Sequence, residues 1–286
     1  MPTNEQRREQ AKRKLERQLV RRAERQKRRR ITAVALTSVA VLVVAGGVYF
    51  LATRDWGSGD AEAAASSTAE PSEVVDKPAA IPTEIAAMPK RPTPLPSPAS
   101  CEYPAGAEPA SKQVNAPAAG QVPAEGTVGV TLGTSVGDLK FTLDRALAPC
   151  AVNSFVSLAQ QNYFNDTSCH RLTTSEGLQV LQCGDPTAQG SGGPGYSFKD
   201  EVFPELTYGR GMLAMANSGP DTNGSQFFVV YGNAQLPASY TVFGSVDPES
   251  LKLVDEVANA GTIRATQEGD GSPKTPVQIT SATVLA

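Results

Sequence analysis

The feature that most constrains this chain is the stretch 211–228, where two short apolar runs flank a polar loop. The runs are Met212–Ala216 and Phe227–Tyr231, and the loop between them is rich in Gly, Pro and Asn. This arrangement predicts a strand, a turn and a second strand. Most other apolar runs after residue 123 are also short and bounded by Gly, Pro or Asn, which is the pattern of a β-barrel with covering helices.

Three further elements are predicted from periodicity. Val128–Leu132 and Leu139–Leu143 alternate apolar and polar residues around a short turn, which predicts an opening hairpin. Within 150–160, apolar residues recur at helical spacing and predict a helix with one face on the core. A second helix is expected to begin near Pro248, because Pro is tolerated in a first turn.

Residues 211–228 resemble the signature block of the cyclophilins, a family of peptidyl-prolyl cis-trans isomerases. Cys169-His170-Arg171, followed by 182–186 and 190–196, resembles the family's second block, and 240–244 resembles its closing strand. The blocks stand in family order, so the resemblance covers about residues 123–286. It implies a mainly β fold, namely a closed eight-stranded antiparallel β-barrel capped by two α-helices.

The resemblance also implies the site. Catalytic roles fall on Arg171 as a cation beside the prolyl nitrogen, Phe228 as the floor of a proline pocket, and Gln226 as a hydrogen-bonding partner of the substrate backbone. The implied substrate-binding residues are Val180, Gln182, Met215, Ala216, Asn217, Leu236 and Tyr240. Isomerisation requires only that the twisted amide be bound more tightly than the planar forms, so no metal or cofactor is expected.

The chain departs from better-known cyclophilins around this site. About three extra residues lie between His170 and Gln182, so the family's aromatic and methionine pair becomes Gln179 and Val180, and that wall is expected to be less apolar. Gln235 stands where the family has a tryptophan associated with cyclosporin, and Tyr240 replaces a pocket histidine. We therefore expect only weak cyclosporin binding. The single histidine, His170, is predicted to be hydrogen-bonded within the barrel rather than to transfer protons.

The N-terminal third has a different character. Residues 1–30 contain 13 Lys and Arg and 4 acidic residues, and 31–52 follow as 22 residues without a charge. Such a run is long enough to cross a bilayer as one helix, and the basic flank predicts a cytoplasmic N-terminus with the rest of the chain outside the cell membrane. A signal peptide cleaved near Ala63 is the alternative. The resemblance is thus to a membrane-anchored bacterial cyclophilin.

The basic segment 1–30 could in principle contact nucleic acid. No aromatic residue interleaves its charges, so we favour contact with the anionic inner leaflet and expect no nucleic-acid partner. Residues 53–122 are dominated by Ala, Pro, Ser and Glu, which predicts a disordered, partly extended linker before a domain at 123–286.

The four cysteines, Cys101, Cys150, Cys169 and Cys183, all follow the apolar run. Their even number on an outer side favours two disulfides over separate thiols, and no Cys-x-x-Cys pair supports a metal site. Antiparallel pairing of the strands that bear Arg171 and Gln182 would bring Cys169 to Cys183, which leaves Cys101 for Cys150.

Three functions are compatible with these observations. The first is an extracytoplasmic prolyl isomerase that assists the folding of exported or envelope proteins. The second is a proline-peptide binding module or chaperone with little turnover, for which the cation of Arg171 would be unnecessary. The third is a tethered structural protein whose basic segment recruits partners, and this function leaves the cyclophilin blocks unexplained.

Overall fold

A computed structural model of the chain describes residues 74–285. The basic segment 1–30, the predicted transmembrane helix 31–52 and linker residues 53–73 lie outside the described residues. Within 74–285, no helix combines the length and the apolar character that crossing a membrane requires.

The described residues form two helices and fourteen strands. The helices are α1 (Pro149–Gln160) and α2 (Pro248–Ala260). The strands are β1 (Val75–Asp76), β2 (Ala99–Cys101), β3 (Gly120–Val122), β4 (Thr127–Thr134), β5 (Gly137–Asp144), β6 (Thr167–Ser168), β7 (Arg171–Thr173), β8 (Leu178–Cys183), β9 (Met212–Met215), β10 (Phe227–Ala234), β11 (Val242–Val246), β12 (Thr262–Gln267), β13 (Asp270–Pro273) and β14 (Gln278–Val284).

Twelve of these strands belong to one sheet, in the order β1-β12-β13-β7-β8-β10-β9-β11-β5-β4-β14-β6, while β2 and β3 pair separately. The expectation of a mainly β fold with two helices is confirmed. The opening hairpin is β4–β5, paired from Thr127↔Asp144 to Thr134↔Gly137. The strand, turn and strand of 211–228 are β9 and β10, in which Phe228 pairs with Ala214. Both local predictions are therefore confirmed.

The helices begin where local chemistry allows them to. Helix α2 starts after Asp247, whose side chain accepts hydrogen bonds from the N–H groups of Glu249 and Ser250. It ends at Gly261, whose φ of 100° lies in the left-handed region that glycine tolerates. Helix α1 starts with Pro149 and has no cap from its own N-cap residue. Its buried face lies on the core, as predicted.

The core between the sheet and the helices is largely aromatic. Phe227 of β10 packs edge-on against Phe155 of α1, with ring centroids 5.3 Å apart, and against Phe141 of β5 at 6.1 Å. Each such pair contributes roughly 0.5–1.5 kcal/mol beyond the apolar area it buries. Because Phe227 points into this core, its neighbour Phe228 points to the opposite face of β10.

The ordered part of the chain begins before the predicted domain boundary at residue 123. Residues 74–122, expected to belong to a disordered linker, contribute β1, β2 and β3 to the fold. The segment is held by widely spaced buried side chains, among them Cys101 at 1% and Tyr103 at 7% exposure. Tyr103 packs on Tyr196 and Phe198 with centroids 5.8 and 5.7 Å apart. A few buried side chains of this kind offset the entropy cost of ordering the segment. Its average composition alone had suggested that this cost would keep the segment disordered.

Two disulfides are present, Cys101–Cys150 and Cys169–Cys183, and no cysteine of the described residues is free. Both predicted pairs are confirmed. The first bonds residues 74–122, the N-terminal segment, to helix α1, and the second joins Cys169, two residues before β7, to Cys183, the last residue of β8.

Candidate active site

A cavity of about 230 Å³ opens at the face of β10 to which Phe228 points. Eight of the predicted site residues line it: Arg171, Val180, Gln182, Ala216, Asn217, Phe228, Leu236 and Tyr240. Phe228 is only 4% exposed and forms the floor. The pocket therefore offers an apolar base with a cation and amide groups on one rim, which suits a small ring joined to a polar backbone.

The wall of this pocket comes from β8, where side chains alternate between the two faces of the sheet. Leu178, Val180 and Gln182 line the pocket. Gln179 lies on the other face, is 2% exposed, and donates a hydrogen bond from Nε2 to the carbonyl of Ala80 at 2.7 Å. The expected pair of Gln179 and Val180 is thus wrong for Gln179, and the wall is more apolar than predicted because Leu178 takes its place.

Tyr240 forms one side of the pocket. Its ring meets that of Phe228 edge-on, with centroids 5.7 Å apart and planes at 80°. Tyr208 holds the backbone of Tyr240 in place, because its hydroxyl accepts a hydrogen bond from the Tyr240 N–H at 2.8 Å and donates one to the Tyr240 carbonyl at 2.9 Å. Tyr240 is therefore held by hydrogen bonds to its backbone as well as by the packing of its ring on Phe228.

The Arg171 guanidinium is held by two partners. Its Nε and Nη2 donate to the two carboxylate oxygens of Asp270, at 2.8 and 2.6 Å, and its Nη1 donates to Oε1 of Gln182 at 3.2 Å. Hydrogen bonding to Asp270 raises the pKa of Arg171 above its usual range. The side chain keeps 37% of its surface exposed, so a fixed cation remains accessible at the rim.

A chain of amides continues from Arg171 along the rim. Gln182 donates from Nε2 to Oε1 of Gln226 at 2.9 Å, and Gln226 donates from Nε2 to the carbonyl of Gly192 at 3.0 Å. Gln226 does not line the proline-sized pocket but a second cavity beside it. The network therefore couples the guanidinium to the neighbouring cavity.

The second cavity has a volume of about 310 Å³ and shares Gln182, Ala216 and Asn217 with the first. Its other walls include the glycine-rich loop 190–195 and residues 106–109 of the N-terminal segment. Asp185 shapes the loop by accepting hydrogen bonds from the N–H groups of Thr187 at 2.7 Å and Gly192 at 3.1 Å. Burial alone would raise the pKa of Asp185, but these hydrogen bonds outweigh burial and lower it.

The family model for cyclophilin type peptidyl-prolyl cis-trans isomerases matches residues 129–284, more than half of the chain. The chain belongs to the cyclophilin family. It is 48% identical over 195 residues to the probable peptidyl-prolyl cis-trans isomerase B of Mycobacterium leprae and 47% identical over 196 residues to that of Mycobacterium tuberculosis. These alignments cover 64% of this chain and 65% and 63% of the two relatives, so the chain spans a little under two thirds of their length.

A shorter relative is matched over most of its length. The probable peptidyl-prolyl cis-trans isomerase A of Mycobacterium leprae is 41% identical over 172 residues, which cover 54% of this chain and 90% of that relative. Among solved structures, a cyclophilin of Cryptosporidium parvum is 33% identical, with a TM-score of 0.49, over 56% of this chain and 99% of that one.

Two predicted residues of the cyclophilin site do not line the pocket, namely Gln226, which lines the second cavity, and Met215. Met215 is 1% exposed at the end of β9 and is not among the residues that line the pocket. Its alternation with Ala216, which does line the pocket, turns the Met215 side chain towards the core. Asn217 lines the pocket, but its side-chain amide donates to the carbonyl of Ser239 at 2.8 Å and so holds the loop together.

His170 also differs from expectation. It was predicted to be hydrogen-bonded within the fold, yet neither of its ring nitrogens has a partner among the described residues. The residue lies between β6 and β7 rather than within a strand, and the ring lies near the Gly190 backbone. Burial lowers the pKa of His170, which favours the neutral ring.

Three contributors to the cyclophilin site were missed by sequence reasoning: Leu178, Asp270 and the stretch 106–109. Leu178 could have been found, because it stands two residues before Val180 and four before Gln182 on one strand. Asp270 carries no local signal, since its partner Arg171 is 99 residues away along the chain. Residues 106–109 were assigned to a linker.

Proposed function

We propose that this cyclophilin domain catalyses cis–trans isomerisation of Xaa–Pro peptide bonds in polypeptides. The observation that carries the proposal is the fixed guanidinium of Arg171 at the rim of a pocket floored by Phe228. The family match and the names of the curated relatives support the same activity.

The chemistry needs only differential binding. Amide resonance gives the C–N bond partial double-bond character and a rotation barrier of roughly 18–20 kcal/mol. A cation beside the prolyl nitrogen stabilises the lone pair that appears there as the amide twists, and every 1.36 kcal/mol of such stabilisation accelerates the exchange about tenfold. In this role Arg171 supplies the charge, the apolar pocket grips the ring, and Gln182 and Gln226 orient the adjoining backbone.

A protease-coupled isomerisation assay on the full-length chain tests the proposal. We expect Arg171→Ala to lower kcat/KM for a short Xaa–Pro peptide at least tenfold. Arg145→Ala is the matched control, because Arg145 is a half-buried arginine on the turn after β5 and is not among the residues that line the pocket. If Arg171→Ala stays within about twofold of the unmodified chain, this mechanism is wrong.

A second candidate, a proline-peptide binding module or chaperone with little turnover, is favoured by one observation. Asp270 neutralises Arg171 with a two-point ion pair, and a neutralised cation would weaken electrostatic catalysis more than binding. Saturable peptide binding without acceleration of exchange, measured by NMR line shapes on the same peptide, would support the binding module and contradict the enzyme.

We also propose that the sheet closes as the eight-stranded barrel expected from the family. Strand β6 pairs with β14, and β7, only two residues further along the chain, pairs with β8. If β6 and β7 act as one bent strand, that strand pairs with β8 on one side and with β14 on the other. Together with the order β8-β10-β9-β11-β5-β4-β14 it then completes a ring of eight strands. An experimental structure in which β6 is detached from β14 would contradict closure.

For the cellular setting we propose a single-pass membrane cyclophilin with its N-terminus in the cytoplasm and residues after 53 outside, acting on exported or envelope proteins. The charge step between 1–30 and 31–52 supports this topology. Two disulfides are consistent with an oxidising compartment. Protease added to spheroplasts should then release the domain, whereas protection from protease would contradict the topology.

A further inference from the structure

The contact between Arg171 and Asp270 joins two parts of the fold. Arg171 begins β7, and Asp270 begins β13, which pairs antiparallel with β7 through Gly271↔Leu172. The Asp270 side chain is 19% exposed, and its carboxylate also accepts a bond from Nε2 of Gln267 at 3.3 Å. Both carboxylate oxygens thus have partners, and the plane of the guanidinium is defined by two parallel hydrogen bonds.

The hairpin that carries Asp270 is closely packed. At Gly271 a Cβ would lie 1.8 Å from the carbonyl oxygen of Ile263 on β12, so the two strands approach as only glycine allows. The turn before Asp270 is bonded to the residue after β7, because the Thr174 N–H donates to the carbonyl of Gly269 at 2.8 Å. The position of Asp270 is therefore set by backbone contacts on both sides.

The N-terminal segment contacts the outer edge of this hairpin through Asp76, and we call the contacts of Asp76 with Arg264 and Gly269 the Asp76 clasp. Strand β1 pairs with β12, and the carboxylate of Asp76 accepts hydrogen bonds from Nε of Arg264 at 2.7 Å and from the Gly269 N–H at 2.9 Å. A further bond runs from Arg264 Nη2 to Asp76. Gly269 immediately precedes Asp270, so Asp76 fixes the turn from which Asp270 reaches Arg171.

On the basis of the isomerase function proposed above, we propose that Asp270 is a positioning residue for Arg171 and that Asp76 holds the Asp270 hairpin in place. Through this chain of contacts, a strand that lies before the family match at 129–284 controls the orientation of the catalytic cation. The ion pair leaves Nη1 of Arg171 to Gln182 and the exposed face of the guanidinium to the pocket.

The experiment measures kcat and KM of the full-length chain carrying Asp270→Ala, Asp270→Asn or Asp270→Glu. We expect Asp270→Ala to lower kcat about tenfold with KM within twofold, because the pocket is intact and only the cation is misplaced. Asp270→Asn keeps one acceptor oxygen and should lose less. Glu268→Gln is the matched control, since Glu268 is an exposed acid of the same hairpin two residues away.

Two further readouts separate positioning from general stability. In an Arg171→Ala background, Asp270→Ala should cause no additional loss, because Arg171 is the route through which Asp270 acts. In NMR spectra, the Nε–H signal of Arg171 should be protected from exchange in the unmodified chain and lost in Asp270→Ala. An equal loss in both backgrounds would overturn the proposal, as would an Asp270→Ala variant with unchanged kcat.

The Asp76 step is tested in the same way. Asp76→Asn should lower kcat two- to fivefold and have no effect once Asp270 is alanine, and Glu84→Gln, an exposed acid of the same N-terminal segment, is the control. Failure of the proposed function has a different signature, because Arg171→Ala itself would then leave kcat unchanged. If Arg171→Ala is inactive while Asp270→Ala is fully active, the isomerase proposal stands and this one falls.

Discussion

The carboxylate of Glu201 accepts a hydrogen bond from the Cys150 N–H at 3.0 Å, at the first turn of helix α1. Its second oxygen accepts from the Ala151 N–H at 2.9 Å. The helix, which lacks a cap from its own N-cap residue, is therefore capped by a residue some fifty positions later. The same helix residue, Cys150, is bonded covalently to Cys101.

This buried cap predicts a pH dependence of stability. Burial raises the pKa of Glu201 to about 7, although the bonds from Cys150 and Ala151 oppose the shift. As pH rises from about 4.5 to about 7, the unfolded chain releases this proton while the folded chain retains it. The free energy of unfolding should therefore fall over this range, by on the order of 3 kcal/mol for this group.

Urea denaturation of the unmodified chain and of Glu201→Gln between pH 4.5 and pH 8 measures this effect. The unfolding free energy of the unmodified chain minus that of Glu201→Gln should decrease as pH rises. Only the unmodified chain has a titrating group at this position. A difference that is independent of pH would contradict a buried protonated Glu201.

The two disulfides should have separable effects. Replacing Cys169 and Cys183 with serine opens a loop of 14 residues' separation, and replacing Cys101 and Cys150 opens one of 49. Chain entropy assigns about 3 kcal/mol to the shorter loop and about 4 kcal/mol to the longer. Cys169 and Cys183 nevertheless flank Arg171 and Gln182, so we expect the pair with the smaller stability loss to show the larger loss of kcat. Equal kcat values in the two variants would contradict this expectation.

Cyclosporin should bind weakly. Gln235, which stands where the family has its drug-contacting tryptophan, is exposed and donates from its N–H to the carbonyl of Gly177 at 2.8 Å. Tyr240 packs on Phe228 and takes the place of the pocket histidine. Titration calorimetry should show tighter binding for Gln235→Trp than for the unmodified chain. Nanomolar binding by the unmodified chain, about −12 kcal/mol, would contradict the prediction.

The second cavity should favour basic side chains near the proline. Among the described residues that line it, Glu108 is the only acidic or basic one. An exposed charge pair contributes about 0.2–1 kcal/mol, so a peptide with Lys before the Xaa–Pro bond should be preferred up to about fivefold over one with Glu. The preference should decline in high salt and vanish in Glu108→Gln, whereas Glu102→Gln, an exposed acid of the same segment, should retain it. A preference unaffected by Glu108→Gln would contradict this assignment.

Sequence reasoning succeeded where the signal was local or carried by a motif. Alternation and turn residues predicted β4, β5, β9 and β10, and the family blocks predicted that Arg171, Val180 and Phe228 would meet at one pocket. Gln179 was misplaced because a short insertion makes residue counting unreliable, whereas the two-residue period of β8 separates Gln179 from Leu178 and Val180.

The contacts made by 74–122 and by Asp270 could not be predicted in this way. Asp76 meets Arg264 from 188 residues away, and Arg91 donates from Nε to the carbonyl of Leu147 at 2.8 Å from 56 residues away. Neither contact leaves a periodicity in the neighbouring sequence. Average composition also underestimates how well ordered a segment is when a few buried side chains and one covalent bond hold it.

The Cys101–Cys150 bond has a mechanical consequence. A pull applied at Val74 would load β1 first, and its two residues could be peeled from β12 one pair at a time. The load would next travel along residues 77–100 and stop at Cys101, where a covalent bond carries it into helix α1. Tension would therefore release the Asp76 clasp while the pocket walls stay folded, so that the domain would respond to stretching before it unfolds.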